Sequence, residues 1–330
     1  LSLAFCNLLR YTIVTVSGIN IAGCCGKGTI MPSYATHHIF AATVQRVTGD
    51  SAAHIAVTYP AGYRWGAQGP DPLYYYHAPF SGALGRLARR MHTEPPGALF
   101  EALCAAAVQQ HDAAALAYVF GFCTHYALDR VTHAFLQAQA DRLSLYLPNY
   151  SAEARRKLVE SDIDGILIAN YIAAAPAEFE AFRLLDPSAA ECTVLARVLA
   201  GAAKSACGAR VSPAAVYRSL HDMRRVLHLT HSASHIRGRL VHLERLAGKA
   251  GLASSLIRPA EPLAADCANQ SHRPWSSGSG ERTESFCDLF DAAVPLAVSL
   301  QRAVLERYYQ QKPLDPRFFP TNFCGAATKI

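Results

Sequence analysis

One stretch of the chain, residues 112–146, does most to limit the folds open to it. Within it Tyr118–Phe135, YVFGFCTHYALDRVTHAF, is largely apolar yet carries His125, Asp129 and His133 at intervals of four. Four residues turn a helix by about 400° and lift it about 6 Å, so these three side chains share one face. Val119, Phe122, Tyr126, Leu128 and Phe135 cover the other sides. This predicts a long helix packed all round, with a break near Asp141. A buried imidazole or carboxylate without a partner is costly. Metal ions supply that partner, because neutral imidazole and carboxylate are zinc ligands and a carboxylate can bridge two ions. The bland alternative is two surface histidines beside an ordinary aspartate.

The rest of the chain also reads as helix. Apolar residues recur at helical spacing over 34–47, with Pro32 and Ser33 as a start signal, and over 81–91 and 97–110. The spacing continues over 152–174 with Ser151 as N-cap, and over 176–184, 188–206, 213–249 and 284–309. Residues 60–80 form a turn-rich loop, and 252–283 have no periodicity. Strand alternation is nearly absent, so the expected class is all-α: one multi-helix domain over 31–310, followed by a Pro- and Phe-rich tail, 311–330.

A chain that is 51% hydrophobic and 17% charged is neither disordered nor a coiled coil. The net charge of +6 is too mild to imply nucleic acid. No run of about 18 apolar residues predicts a spanning helix. The ten cysteines include no C-x-x-C pair, which leaves out zinc knuckles and thioredoxin-type motifs. Their scatter reads as reduced thiols of an intracellular protein. Fourteen histidines are the unusual count, and they direct attention to metal chemistry.

Residues 1–30 are apolar with few charges, and three readings compete for them. Translation starts at Met31 and the protein is cytoplasmic; or the segment is a lipoprotein signal, with Ile21-Ala22-Gly23-Cys24 as its cleavage box and Cys24 as the exported anchor; or it is a structural strand. The fold is expected to begin near Met31.

Further candidate ligands flank the helical ladder. Upstream stand His37, Asp71, His77 and His92. Asp71 lies in Gly69-Pro70-Asp71-Pro72, where the prolines stiffen the backbone under a carboxylate. Downstream, Glu160 and Asp164 are spaced to share a helix face. Taken singly, G-P-D-P is a turn and the acidic pair is a solvated face.

In order, MPSYATHHIF (31–40), WGAQGPDPLYYYH (65–77), RRMH (89–92), the ladder helix and ESDID (160–164) resemble the bacterial zinc-dependent phospholipase C family. That family belongs to the all-α superfamily that also holds single-strand nucleases. SSLIRP (254–259), NQSHRPW (269–275) and ESFCDLFDAAV (284–294) extend the resemblance over about 31–305. The resemblance implies a cluster of two or three Zn2+ ions. Asp71, His92, His125 and Asp129 would hold the first, and His37 with a bridging Asp129 the second. His133 and Glu160, with Asp164, would hold the third. His77 is the alternative to His92.

The implied reaction is hydrolysis of a phosphodiester by a metal-activated water, with Asp71 as proton acceptor and phospholipid as substrate. Tyr74, Tyr75, Tyr76 and Phe80 would either line the mouth or pack the loop. Peripheral contact with a membrane is implied, and specific nucleic-acid binding is not. Secreted members use their mature amino terminus as a ligand; with translation starting at Met31 that group would be the imino nitrogen of Pro32, and with residues 1–30 attached the ligand is lost. The family also places histidine four residues before the glutamate, where this chain has Arg156. Arginine cannot ligate, so the third site is expected to be weak, vacant or completed by Asp164. A non-catalytic scaffold with an incomplete metal site is the rival reading, and a nuclease-like phosphodiesterase is another.

Two weaker signals remain. His221, His228, His235 and His242 recur every seven residues among arginines, as a basic stripe or a solvated face. His111-Asp112 is a lone dipeptide of the kind found in phosphohydrolases, without the companion spacing.

Overall fold

The helical spacing is realised along most of the chain. The structure, a computed structural model, describes residues 34–328 except 79–80, 260, 262, 264 and 277–279. The start-site, lipoprotein and Pro32 expectations, and Phe80, lie outside the described residues.

Among the described residues the architecture is all-α. In chain order the helices are α1 (Tyr34–Val47), α2 (Asp50–Thr58), α3 (Pro60–Gly66), α4 (Gly82–Thr93), α5 (Pro96–Gln110), α6 (Ala113–Arg142), α7 (Ala152–Leu167), α8 (Ala181–Leu184), α9 (Ala190–Cys207), α10 (Pro213–Ser232), α11 (Arg237–Leu246) and α12 (Phe286–Gln310). Two-residue strands β1 (Trp275–Ser276) and β2 (Glu281–Arg282) pair antiparallel, with Trp275 opposite Arg282.

Helix α6 is the axis of the molecule. It packs on α12, α3, α7, α1, α5 and α9, and every residue from 114 to 129 is buried. A helix surrounded in this way must be apolar on all faces, which explains the composition of YVFGFC. Its start is fixed by Asp112, whose carboxylate accepts the Ala114 N–H at 2.8 Å. The His111-Asp112 dipeptide is therefore a joint between helices: His111, at φ 51°, closes α5 and Asp112 opens α6. Ser151 caps α7 through Ala154, as its sequence predicts. Ser285 and Asp288 cap α12 reciprocally.

Several boundaries differ from the sequence expectation. Residues 60–80 are not wholly loop: they hold α3 and a 3-10 turn, Asp71–Tyr75. Helix α2 carries no strong apolar stripe, only Ala52 and Ala56 being buried, and was not legible. The 152–174 helix stops at Leu167, passes through a π turn, Ile168–Ile172, and ends with Ala173 in the left-handed region. The 176–184 helix shrinks to α8, because Phe179 and Leu185 enter the core at either side of it. The 213–249 helix breaks after Ser232, so that Ala233, Leu240 and Ile257 form a small second core. The seven-residue His stripe is thus split between α10, a 3-10 turn and α11, and His228 packs edge-on against Phe182. The tail joins the core, with Leu314, Phe319 and Phe323 all buried.

Candidate metal centre

Five side chains from four segments converge where α6 passes beneath the 3-10 turn. Helix α6 supplies His125 and Asp129 from successive turns. Helix α1 supplies His37 from its first turn, α4 supplies His92 from its last, and the turn supplies Asp71 from its first residue. All five are buried, His125 completely.

The donor atoms stand at ligand spacing. His92 Nε2 lies 3.3 Å from Asp71 Oδ1 and 3.4 Å from His125 Nε2. Asp129 Oδ2 lies 3.4 Å from His125 Nε2 and 3.8 Å from His92 Nε2, while Asp129 Oδ1 lies 3.4 Å from His37 Nε2. Four donors held about 2.0–2.1 Å from a zinc ion stand about 3.3–3.4 Å apart at the corners of a tetrahedron. Two overlapping groups of three bring one donor atom each within 4.8 Å of one another: Asp71, His92 and His125, and His37, His125 and Asp129, with His125 common to both. Asp129 turns Oδ1 to His37 and Oδ2 to His125 and His92.

Hydrogen bonds fix which nitrogen faces the cluster. His92 Nδ1 donates to the Ala88 carbonyl at 2.8 Å, and His125 Nδ1 donates to the Ala67 carbonyl at 3.2 Å. Each Nε2 then faces the cluster, and in the neutral ring it turns a lone pair inward. Two such lone pairs face each other beside two carboxylates, an arrangement that is repulsive unless a cation or a proton lies between them. Asp71 Oδ1 and His37 Nδ1 are buried without a hydrogen-bond partner. The donor set fits a divalent cation.

The electrostatics agree. Burial, above all, lowers His37 to about 4 and drives His125 well below the ordinary imidazole range. Burial pushes Asp129 up to about 7. Burial also acts against charge on His92, but Asp71 and Asp129 outweigh it and raise the ring above its usual value. Asp71 is lowered, because the three imidazoles together outweigh its own burial. Both shifts favour a proton on Asp129 and His92 when no metal is bound.

Gly69 lets the turn approach. Its φ is +52°, and a Cβ there would come within 2.3 Å of the His125 ring. Tyr74 stacks on His92, with ring centroids 5.8 Å apart, whereas Tyr75 is buried in the core and packs the loop. The tail contributes a residue that sequence reasoning missed. Phe323 sets its ring 5.3 Å from His92 and 5.9 Å from His125, sealing the cluster from one side. Its only signal was the Phe-rich tail itself.

Four expected ligands stand elsewhere. His77 is exposed, at φ 49°, and its N–H donates to Asp222, so His92 is the histidine that enters the cluster. Asp164 is spent on the start of α1: Oδ1 accepts Thr36 N–H at 2.8 Å and Thr36 Oγ1 at 2.6 Å, and Oδ2 accepts Ala35 N–H and Arg258 Nη2, each at 3.3 Å. A carboxylate there neutralises the positive end of the helix that carries His37. His133 and Glu160 face each other across Arg156, which hydrogen-bonds to both.

Comparisons with protein families, curated proteins and solved structures return no match. The site comprises two buried His/Asp groups able to chelate metal ions, in a helical domain with no described helix long and apolar enough to cross a membrane.

Proposed function

We propose that this protein is a zinc-dependent hydrolase of phosphodiesters, of the phospholipase C type that its sequence motifs resemble. The observation that supports the reading is the placement of Asp129, which presents one oxygen to His37 and the other to His125 and His92, so that it could bridge two ions. A structural zinc site is normally closed by four protein ligands around one ion, and this cluster offers five donor side chains to two positions. When bound, zinc ions supply Lewis acidity, lowering the pKa of water and offsetting charge that builds on a phosphoryl group.

The chain's own residues do the rest. His92 and His125 are held by backbone carbonyls, so their donor atoms need no reorganisation. Asp71, on its proline-stiffened turn, would accept a proton from the attacking water. Phe323 and the core aromatics behind it keep bulk water from the buried side.

Elemental analysis of the purified full chain is expected to give two zinc ions per chain. Hydrolysis of phosphatidylcholine vesicles to a phosphorylated head group is expected to stop on chelation and return with zinc. One zinc or none after reconstitution overturns the paired-ion reading. Two zinc ions with cleavage of single-stranded nucleic acid in place of lipid moves the substrate to the nuclease branch.

A further inference from the structure

The structure disagrees with a third metal ion. The donors that such an ion would need, His133 Nε2 and Glu160 Oε1, are both taken by one guanidinium. Arg156 Nη1 lies 2.9 Å from His133 Nε2, and Arg156 Nε donates to Glu160 Oε1 at 2.9 Å. Guanidinium nitrogens only donate, so His133 Nε2 is the acceptor and its lone pair is committed. The position one turn before Glu160 on α7 brings the arginine between its two partners.

Arg156 is also part of the working face of the centre. It lines a cavity together with Thr36, His37, Asp129, His133 and Glu160, walled on its apolar side by Leu128 and Phe286. Two of its three nitrogens are bonded, and Nη2 makes no hydrogen bond among the described residues. A guanidinium held at two corners is a fixed, permanent charge whose remaining amino group suits an anionic oxygen.

We propose that Arg156 is the third cation of this centre. It replaces a metal ion between His133 and Glu160, and it binds a phosphate oxygen in the cavity it shares with His37 and Asp129. The proposal rests on the paired-ion reading and gives it a stoichiometry and a substrate contact. A charge that cannot dissociate also makes this part of the site indifferent to chelators.

The test combines zinc content with calorimetric titration of inorganic phosphate into the zinc-loaded full chain, freed of excess zinc. Wild type, Arg156→Gln and Arg156→Lys are each expected to hold two zinc ions. Arg156→His is expected to hold three, because its imidazole joins a released His133 and Glu160. Phosphate affinity is expected to fall about 10–100-fold in the Gln variant and about tenfold in the Lys variant, whose compact ammonium cannot span both partners and still reach the ligand. If the Gln variant fails to fold, as judged by thermal melting, the Lys variant carries the comparison. Three zinc ions in wild type, only two in Arg156→His, or phosphate affinity in the Gln or Lys variant within twofold of wild type overturns the proposal. Fewer than two zinc ions in wild type overturns the paired-ion reading beneath it, a result separate from any change in phosphate affinity.

Discussion

At the scale of single residues, the centre is a set of lone pairs brought face to face. His92 Nε2 and His125 Nε2 stand 3.4 Å apart with their protons on the far side of each ring. Protons and metal ions compete for these donors, and the groups that hold a proton nearest neutrality are Asp129, pushed up to about 7, and His92, raised with it. His37, at about 4, is already neutral there and releases nothing. Zinc affinity is thus expected to weaken as pH falls through about 7, by about tenfold per pH unit for the proton on Asp129 and more steeply where His92 also holds one. Competition with a chromogenic chelator at several pH values measures this, and a flat profile between pH ~5.5 and ~7 would exclude Asp129 and His92 as ligands. Asp129→Asn removes the bridge, and zinc affinity should fall by more than about 100-fold. Gly69→Ala sets a methyl group against the His125 ring and strains a left-handed residue, costing about 1–3 kcal/mol in backbone strain alone. Gly82→Ala is the control, since Gly82 has a similar φ of +55° with open space around it. The two should differ in zinc affinity, and equal zinc affinity would mean that the close approach to His125 is irrelevant.

Elements turn these residues into a site by fixing where helices begin and how closely they pass. Asp164 anchors the first turn of α1 and so sets His37, the residue after Thr36. Asp164→Ala strands the buried end of Arg258 and two backbone N–H groups, at an expected cost of about 3–5 kcal/mol in urea unfolding. Zinc affinity should fall with it, while Asp164→Asn, which keeps an acceptor, should lose less of both. Helix α3 meets α6 through Gly66 and Gly121, where a Cβ on Gly121 would lie 2.1 Å from the Tyr63 carbonyl. That contact brings the 3-10 turn, and with it Asp71, down onto His125. Some of these elements were legible and some were not. Helix α6 declares itself through an apolar run with a polar ladder, α7 through its capping Ser151, and α12 through its apolar spacing. Helices α2 and α3 are short and lie in alanine-, glycine- and proline-rich sequence, so local spacing carries little signal and packing against α6 decides them.

Across the whole molecule, the centre ties together segments that are nearly the full chain apart. His37 comes from the first described helix, and Phe323, near the far end, lies against His92 and His125. Zinc should therefore stabilise the fold as a unit. Zinc at about 1,000 times its dissociation constant adds about 4 kcal/mol, and a chelator should lower the melting temperature correspondingly. Deleting residues 311–330 removes the buried side chains of Leu314, Phe319 and Phe323, worth about 1.5–3 kcal/mol each. The shortened chain should melt lower and bind zinc more weakly, and an unchanged melting curve would show that the tail is not part of the core. The sequence by itself determined the all-α class, the central helix and its ladder, the Ser151 cap and the kinds of ligand, because these depend on spacing and chemistry within a few turns of one helix. Only the tertiary structure decided between His92 and His77, turned Asp164 from a ligand into a helix anchor, set Arg156 between His133 and Glu160, and brought Phe323 to the cluster. Each of those outcomes depends on what a side chain meets across a helix interface, and that is set by the packing of distant segments.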